Sequence, residues 1–230
     1  MTIDDQRKIV YCSGSQYSVE ERDGLRRMAT VLEANGYETY LPYRDGLEYR
    51  FIQLIKDPLI DHNQKAELLE ISNQVTFALD TYQIIKRCDA LIFNMNGRTP
   101  EEGAVFRTAM AYSVGTPLVL YKNDNRSIFH GNDNTMITGL SHDFTYIKKL
   151  TRLPKALQKV MTRANRARGN TENNIGNPPY LKNAVSLGQL VWELLNETEL
   201  LQPGETGFGE QMMEIKDRCG DLIAKTPIKI

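Results

Sequence analysis

The sequence predicts an α/β domain built on a doubly wound parallel sheet, flavodoxin-like or Rossmann-like, followed by a mainly helical C-terminal addition. Three observations carry this reading. Short apolar runs of strand length alternate with helical periodicities through residues 8–148. One stretch, 88–122, contains a complete strand–loop–helix–strand unit. After about residue 150 the chain turns basic, then loop-rich, then amphipathic. Strands separated by helices pair in parallel, and right-handed crossovers restrict the topology to a few arrangements. The expected division is an α/β domain over 1–150 and a helical extension over 151–230, packed on the core or on a neighbouring subunit.

Residues 8–13 read as a first strand. Residues 18–35 read as a helix, with Leu25, Met28, Ala29 and Leu32 on one face and Gly36 as its stop. Residues 37–41 form a second strand ending at Pro42. Residues 43–62 give no clear pattern, and Pro58 interrupts any long helix there. Residues 64–75 and 80–87 are expected as two helices, and 144–147 as a last strand. Beyond them, Lys155, Lys159, Arg163, Arg166 and Arg168 make a basic stretch. Residues 169–179 and 202–209 read as loops. Residues 184–197 form an amphipathic helix with Leu187, Leu190, Val191, Leu194 and Leu195 on one side.

The 88–122 unit is the most informative. Residues 90–93 are an apolar run of the length of a buried strand. A polar turn with Asn94, Asn96, Gly97 and Arg98 follows. Pro100, Glu101 and Glu102 mark a helix start, because proline is tolerated in a first turn and carboxylates complement the helix dipole. Gly115 ends that helix, and Pro117 opens a second strand over 118–121. The polar loop therefore lies where a strand's carboxyl end meets a helix N-terminus, the usual ligand crevice of open α/β sheets.

These residues resemble the nucleoside 2-deoxyribosyltransferase family and its relatives, the nucleoside monophosphate N-glycosidases. Three blocks carry the resemblance. The first is IVYCSGSQYSVEERDGLRRMATVLEANGYETYLPYRDG, residues 9–46. The second runs through Asp89, Asn96-Gly97-Arg98, Glu101-Glu102-Gly103, residues 109–112 and Gly115-Thr116-Pro117. The third is Asn132-Asp133-Asn134-Thr135-Met136-Ile137. Their order matches the family over roughly residues 8–148. One position departs from it. The family's nucleophilic glutamate lies four residues after the glycine of the acidic-x-Gly motif, and that position is Arg107. A guanidinium cannot attack an anomeric carbon, since it carries no basic lone pair in proteins.

The resemblance implies a protein that acts on the N-glycosidic bond of a nucleoside or its 5′-monophosphate, by transfer or hydrolysis. It needs no cofactor and no metal. Its expected partner is a small nucleoside or nucleotide, with assembly into a homo-oligomer. The alternative is a non-catalytic nucleotide-binding or sensor protein that has lost the nucleophile. Arg107 favours the alternative; the intact motif around it favours the enzyme.

Each candidate residue has a structural reading beside the functional one. Ser13, Gly14, Ser15 and Ser18 follow the first strand and could hold a phosphate or sugar hydroxyl. They equally suit a tight turn with Ser18 as N-cap and Glu20 and Glu21 in the first turn. Tyr11 matches a family tyrosine near the catalytic carboxylate, or is core. Asp80 lies nine residues before Asp89, where the family usually has a base-contacting aspartate at eight; it is otherwise a helix N-terminal residue. Asn96 and Gly103 belong to the motif loop. Glu101 matches the family's second pocket acid and is the candidate catalytic carboxylate. Otherwise it serves the helix dipole alone. Arg107 is a phosphate or carboxylate clamp, or a structural ion pair with Glu101, Glu102 or Asp80. Asn134 matches a residue that reaches a neighbouring subunit's sugar site, or is a turn residue.

Composition sets wider bounds. The 230 residues are 41% hydrophobic, enough for a core, and the net charge of −1 suggests no global nucleic-acid or membrane mode. No run of 18 apolar residues occurs and the polar N-terminus is unlike a signal peptide, so a cytoplasmic protein is expected. Cys12, Cys88 and Cys219 have neither metal-ligand spacing nor a disulfide framework. His62, His130 and His142 show no metal spacing and no Ser or Cys partner.

Overall fold

A computed structural model describes residues 7–97, 99–126, 133–141, 143–169 and 181–228. Arg98, His130, Gly131, Asn132, His142 and the loop expected over 169–179, beyond residue 169 itself, lie outside them. The chain divides into two compact units. One comprises residues 1–41 and 87–176; the other comprises 42–86 and 177–230.

The first unit holds a four-stranded parallel sheet in the order β2-β1-β3-β4. Its strands are β1 (Ile9–Gly14), β2 (Glu38–Tyr40), β3 (Ala90–Asn94) and β4 (Leu118–Tyr121). All pairings are parallel, with Tyr11 opposite Leu91 and Ser13 opposite Phe93 in the central pair. Val10, Tyr11, Cys12 and residues 90–93 are fully buried. Continuous apolar runs of this kind are what a parallel sheet covered on both faces requires.

Helix α1 (Val19–Glu33) connects β1 to β2 and buries Leu25, Met28, Ala29 and Leu32, the face its periodicity predicts. Ser18 caps it in a reciprocal capping box with Glu21. Helix α5 (Glu102–Ser113) connects β3 to β4, and Gly115 follows with φ 75°, the left-handed conformation that ends a helix. The two crossovers leave the sheet centre in opposite directions. Right-handed connections therefore set α1 and α5 on opposite faces, with the switch point between β1 and β3. Helix α7 (Leu153–Gly169) completes this unit, with Leu153 and Leu157 fully buried.

No strand forms over 144–147. Ile147 makes one isolated parallel bridge to Tyr121, and Phe144 has φ 52°. A bulky residue in the left-handed region breaks the extended run before it can pair. The expected helices over 64–75 and 80–87 are one helix, α4 (His62–Tyr82), continued by a π-helical turn (Gln83–Arg87). Ala78 and Leu79, buried on its inner face, carry the apolar pattern through the expected gap.

The second unit is helical. It comprises α2 (Pro42–Asp45), α3 (Glu48–Ile55), α4, α8 (Lys182–Asn196) and α9 (Phe208–Lys225). One core joins Phe51 and Leu54 of α3, Leu68, Val75 and Leu79 of α4, Leu187, Val191 and Leu194 of α8, and Met212 and Ile215 of α9. The apolar face of 187–195 is thus satisfied inside this unit rather than offered to a neighbouring subunit. Arg50, 1% exposed, is tolerated there because its guanidinium donates to the carbonyls of Arg44 and Gly46, both at 2.8 Å.

Helices α4 and α8 approach at Gly188. A Cβ added there would lie 2.0 Å from the Ala78 carbonyl oxygen and 2.7 Å from the Tyr82 Cβ. Backbone cannot yield as a side-chain tip does, so Gly188→Ala is expected to destabilise this unit by about 1–3 kcal/mol. Urea titration of the variant checks this; an unchanged midpoint would mean the helices separate without cost.

Candidate functional site

The cleft at the carboxyl ends of β1 and β3 is lined by three of the candidates, Ser15, Ser18 and Asn96; Glu101, Gly103 and Arg107 are not among its lining residues. Gly14 ends β1 where space is short: a Cβ there would meet the Asn94 Cβ at 3.0 Å and the Leu25 Cδ2 at 3.2 Å. Ser13 is fully buried beside it, and its hydroxyl makes no hydrogen bond among the described residues. Tyr11 lies deeper in the strand, fully buried, its ring 5.2 Å from that of Tyr40.

In the loop after Gly14 the chain itself supplies an anion to the backbone N–H groups. Tyr17 N and Ser18 N donate to Glu21 Oε2 at 3.0 and 2.8 Å, and Glu21 N donates to Ser18 Oγ at 3.2 Å. Burial pushes the Glu21 carboxyl up, yet hydrogen bonds from Ser18, Ser15 and Tyr17 outweigh it and hold it below its ordinary value. Ser15 and Ser18 face a cleft of about 410 Å³ that Asn96, Gly97, Arg27 and Asp124 also line. That volume lies in the range of small-molecule sites.

The β3 end is pinned by side chains. Asn94 Oδ1 accepts from Asn96 N at 3.1 Å, Asn96 Oδ1 from Asn123 N at 2.9 Å, and Asp124 Oδ2 from Gly97 N at 2.8 Å. Burial raises the Asp124 carboxyl, but Arg126, whose Nη2 donates at 2.7 Å, and the Gly97 N–H more than offset this, leaving it below the usual carboxylate range. A carboxylate with a depressed value stabilises the folded state above its unfolded value, and that contribution fades as pH falls through the folded value. Glu21 and Asp124 therefore contribute to stability at neutral pH and lose that contribution in acid.

Glu101 is the N-cap of α5 rather than a first-turn residue. Its Oε1 accepts from Gly103 N at 2.8 Å and its Oε2 from Ala104 N at 2.6 Å. Arg107 Nη1 stands 3.7 Å from Glu101 Oε2, with both side chains nearly buried, at 11% and 13% exposure. Gly103 explains the motif's spacing: a Cβ there would fall 2.8 Å from Glu101 Oε1 and 3.4 Å from Arg107 Nη1. Glu102 is exposed. The acidic-x-Gly pattern is thus a cap, with room beside it for a guanidinium one turn on.

Asn134 caps the short helix α6 (Thr135–Thr138) and accepts from Met136 N at 2.9 Å on an exposed surface. The neighbouring Asp133 is buried and accepts from Lys122 Nζ at 2.6 Å, with 3% and 2% of the two side chains exposed. The sequence reading missed Lys122. Its signal was a lysine directly after an apolar strand. Asp80 lies within α4, 8% exposed and in the second unit, so it is not at a helix start.

Among the described residues no group of His, Cys, Asp and Glu could hold a metal, and no helix is long and apolar enough to cross a membrane. Burial raises the thiols of Cys88 and Cys219, the latter to about 12, which leaves neither poised as a thiolate.

An open parallel sheet with a polar crevice at its β1/β3 switch point defines an α/β protein of the doubly wound class. Residues 10–170 match the sequence model of the nucleoside 2-deoxyribosyltransferase family, and the chain belongs to that family. No curated protein matches it. Two solved structures are similar in part. A 2-deoxyribosyltransferase from the psychrotolerant bacterium Bacillus psychrosaccharolyticus is 15% identical, with a TM-score of 0.40, over 63% of this chain and 89% of that one. A conserved protein from Enterococcus faecalis V583 is 17% identical, with a TM-score of 0.44, over 67% of this chain and 99% of that one.

Proposed function

We propose that this protein binds a nucleoside 5′-monophosphate at the switch-point crevice and cleaves or transfers at its N-glycosidic bond. The observation that carries this reading is the Glu101–Arg107 pair at the start of α5, inside the matched region 10–170. In the proposed step the bond between base and anomeric carbon breaks, its electron pair leaves with the base, and positive charge develops on the sugar. Glu101, oriented by two backbone N–H groups, stabilises that charge until water or an acceptor base adds, the proton of the adding group passing to the departing base. Arg107, at the position the family resemblance assigns to the nucleophile, clamps the phosphate instead of attacking. No metal or cofactor takes part.

A specific observation favours a second reading. Each Glu101 oxygen already holds one α5 N–H, so capping alone accounts for the residue. The protein would then bind nucleotide without turning it over. Incubation with a panel of deoxynucleosides and their monophosphates, with and without acceptor bases, separates the two. Free base or exchanged nucleoside supports catalysis; measurable binding with no product selects the second reading.

The clamp has its own test. Monophosphates should bind more tightly than the matching nucleosides. Arg107→Ala should remove most of the difference, about 1.5–3 kcal/mol for a charged hydrogen bond. Calorimetric titration reads both; equal affinities in both proteins would make Arg107 structural and end the clamp reading. Asn134, exposed and family-like, further supports a site completed by a second copy. Light scattering at micromolar concentration should then report a dimer or larger, and a monomer mass would end that reading.

A further inference from the structure

The net charge of −1 conceals a local concentration. Arg152, Lys155, Lys159, Arg163 and Arg166 recur along α7 and the short 3₁₀ turn (Leu150–Arg152) before it. Steps of three, four, four and three residues return to one side of a helix. At 1.5 Å per residue the stripe is about 21 Å long. All five cations line one cleft of about 720 Å³. The helix turns its apolar side the other way, with Leu153 and Leu157 fully buried.

Little opposes this charge. Among the described residues the salt bridges along the stripe are those of Asp143, 4.0 Å from Lys159 and 3.9 Å from Arg163. Arg152, Lys155 and Arg166 make no salt bridge among the described residues. Five cations held in one row repel each other, and intramolecular packing gives no reason for lining them up. A polyanion does.

We infer that this cleft binds the phosphate backbone of a nucleic-acid duplex. The length of the row exceeds any single phosphate or nucleotide. The lining contains no aromatic ring, and single strands are held largely by base stacking on such rings. A membrane-surface helix inserts bulky apolar side chains beside its cations. Here those side chains face the core, and the cleft offers only Ile147 and Ala156 among its cations. Contacts of this kind read charge and shape rather than sequence. The cleft shares no residue with the Glu101–Arg107 pair, so the inference stands apart from the proposed glycosidic chemistry.

Fluorescence anisotropy with a labelled 20-base-pair DNA duplex tests it. The wild-type protein should bind at 50 mM salt. The slope of log K against log salt should approach −4, from about −0.9 per neutralised phosphate for four to five contacts. K155E/K159E/R163E should weaken binding at least about 100-fold, and K155Q/K159Q by a smaller step in the same direction. These side chains are exposed or half-buried, so circular dichroism and melting should be unchanged. Any of four results overturns the proposal: no duplex binding at 50 mM salt; equal binding by the triple variant; tenfold preference for a single strand; or binding only to phosphatidylserine vesicles.

Discussion

The Glu101→Gln variant should turn over its substrate at least about 100-fold more slowly than wild type, the usual cost of removing a positioned electrostatic or catalytic carboxylate. The structure adds a second consequence. Glutamine keeps one acceptor oxygen where the carboxylate has two, each now holding an α5 N–H. The variant should therefore also lose about 1 kcal/mol of stability, the typical worth of a helix N-cap. The two effects are separable. Single-turnover rates report the chemistry and urea midpoints report the cap. Lower stability with near wild-type turnover would confine Glu101 to the cap and place the chemistry on another residue.

The other large effect should come from Lys122. Its ammonium and the Asp133 carboxylate are 2% and 3% exposed and 2.6 Å apart. Removing one partner of a buried pair strands the other charge away from water. Lys122→Met is thus expected to destabilise the protein by about 3–5 kcal/mol. Replacing both, as K122M/D133L, should recover most of the loss, because two apolar groups carry no stranded charge. Asp133 directly precedes Asn134, so the single variant should also weaken any ligand contact made through that segment. Chemical denaturation of the three proteins decides this. A single variant within about 0.5 kcal/mol of wild type would show that water reaches the pair, and the buried-pair account would fail.

Much of the fold was legible because its signals are local. The apolar runs of β1, β3 and β4, the periodic face of α1, the Ser18–Glu21 box and the stop at Gly115 each need only a few neighbouring residues. The misreadings fell where local signals are weak or overridden. Asp80 resembled a helix start, yet α4 runs through it because Ala78 and Leu79 are held in a core built from distant segments. Residues 144–147 have strand composition, but Phe144 takes φ 52° and only Ile147 reaches β4.

The candidate site divides in the same way. The acidic-x-Gly motif marked the start of α5 from sequence. It could not show that Glu101 is the cap itself, or that Arg107, six residues on, stands 3.7 Å from its carboxylate. The glycine loop was equally visible. That Glu21 already occupies its N–H groups depends on where a side chain folds back.

By itself, then, the sequence determined the class of sheet, the β1–α1–β2 and β3–α5–β4 units, the position of the crevice and the family, since each is written in short-range pattern. Tertiary structure decided which charges meet and which segments share a core. Lys122 finds Asp133 eleven residues on, and residues 42–86 join 177–230 in one helical unit. The reason is physical. Periodicity and capping are set by neighbours along the chain. Burial and pairing depend on distances through space, which a linear pattern does not encode.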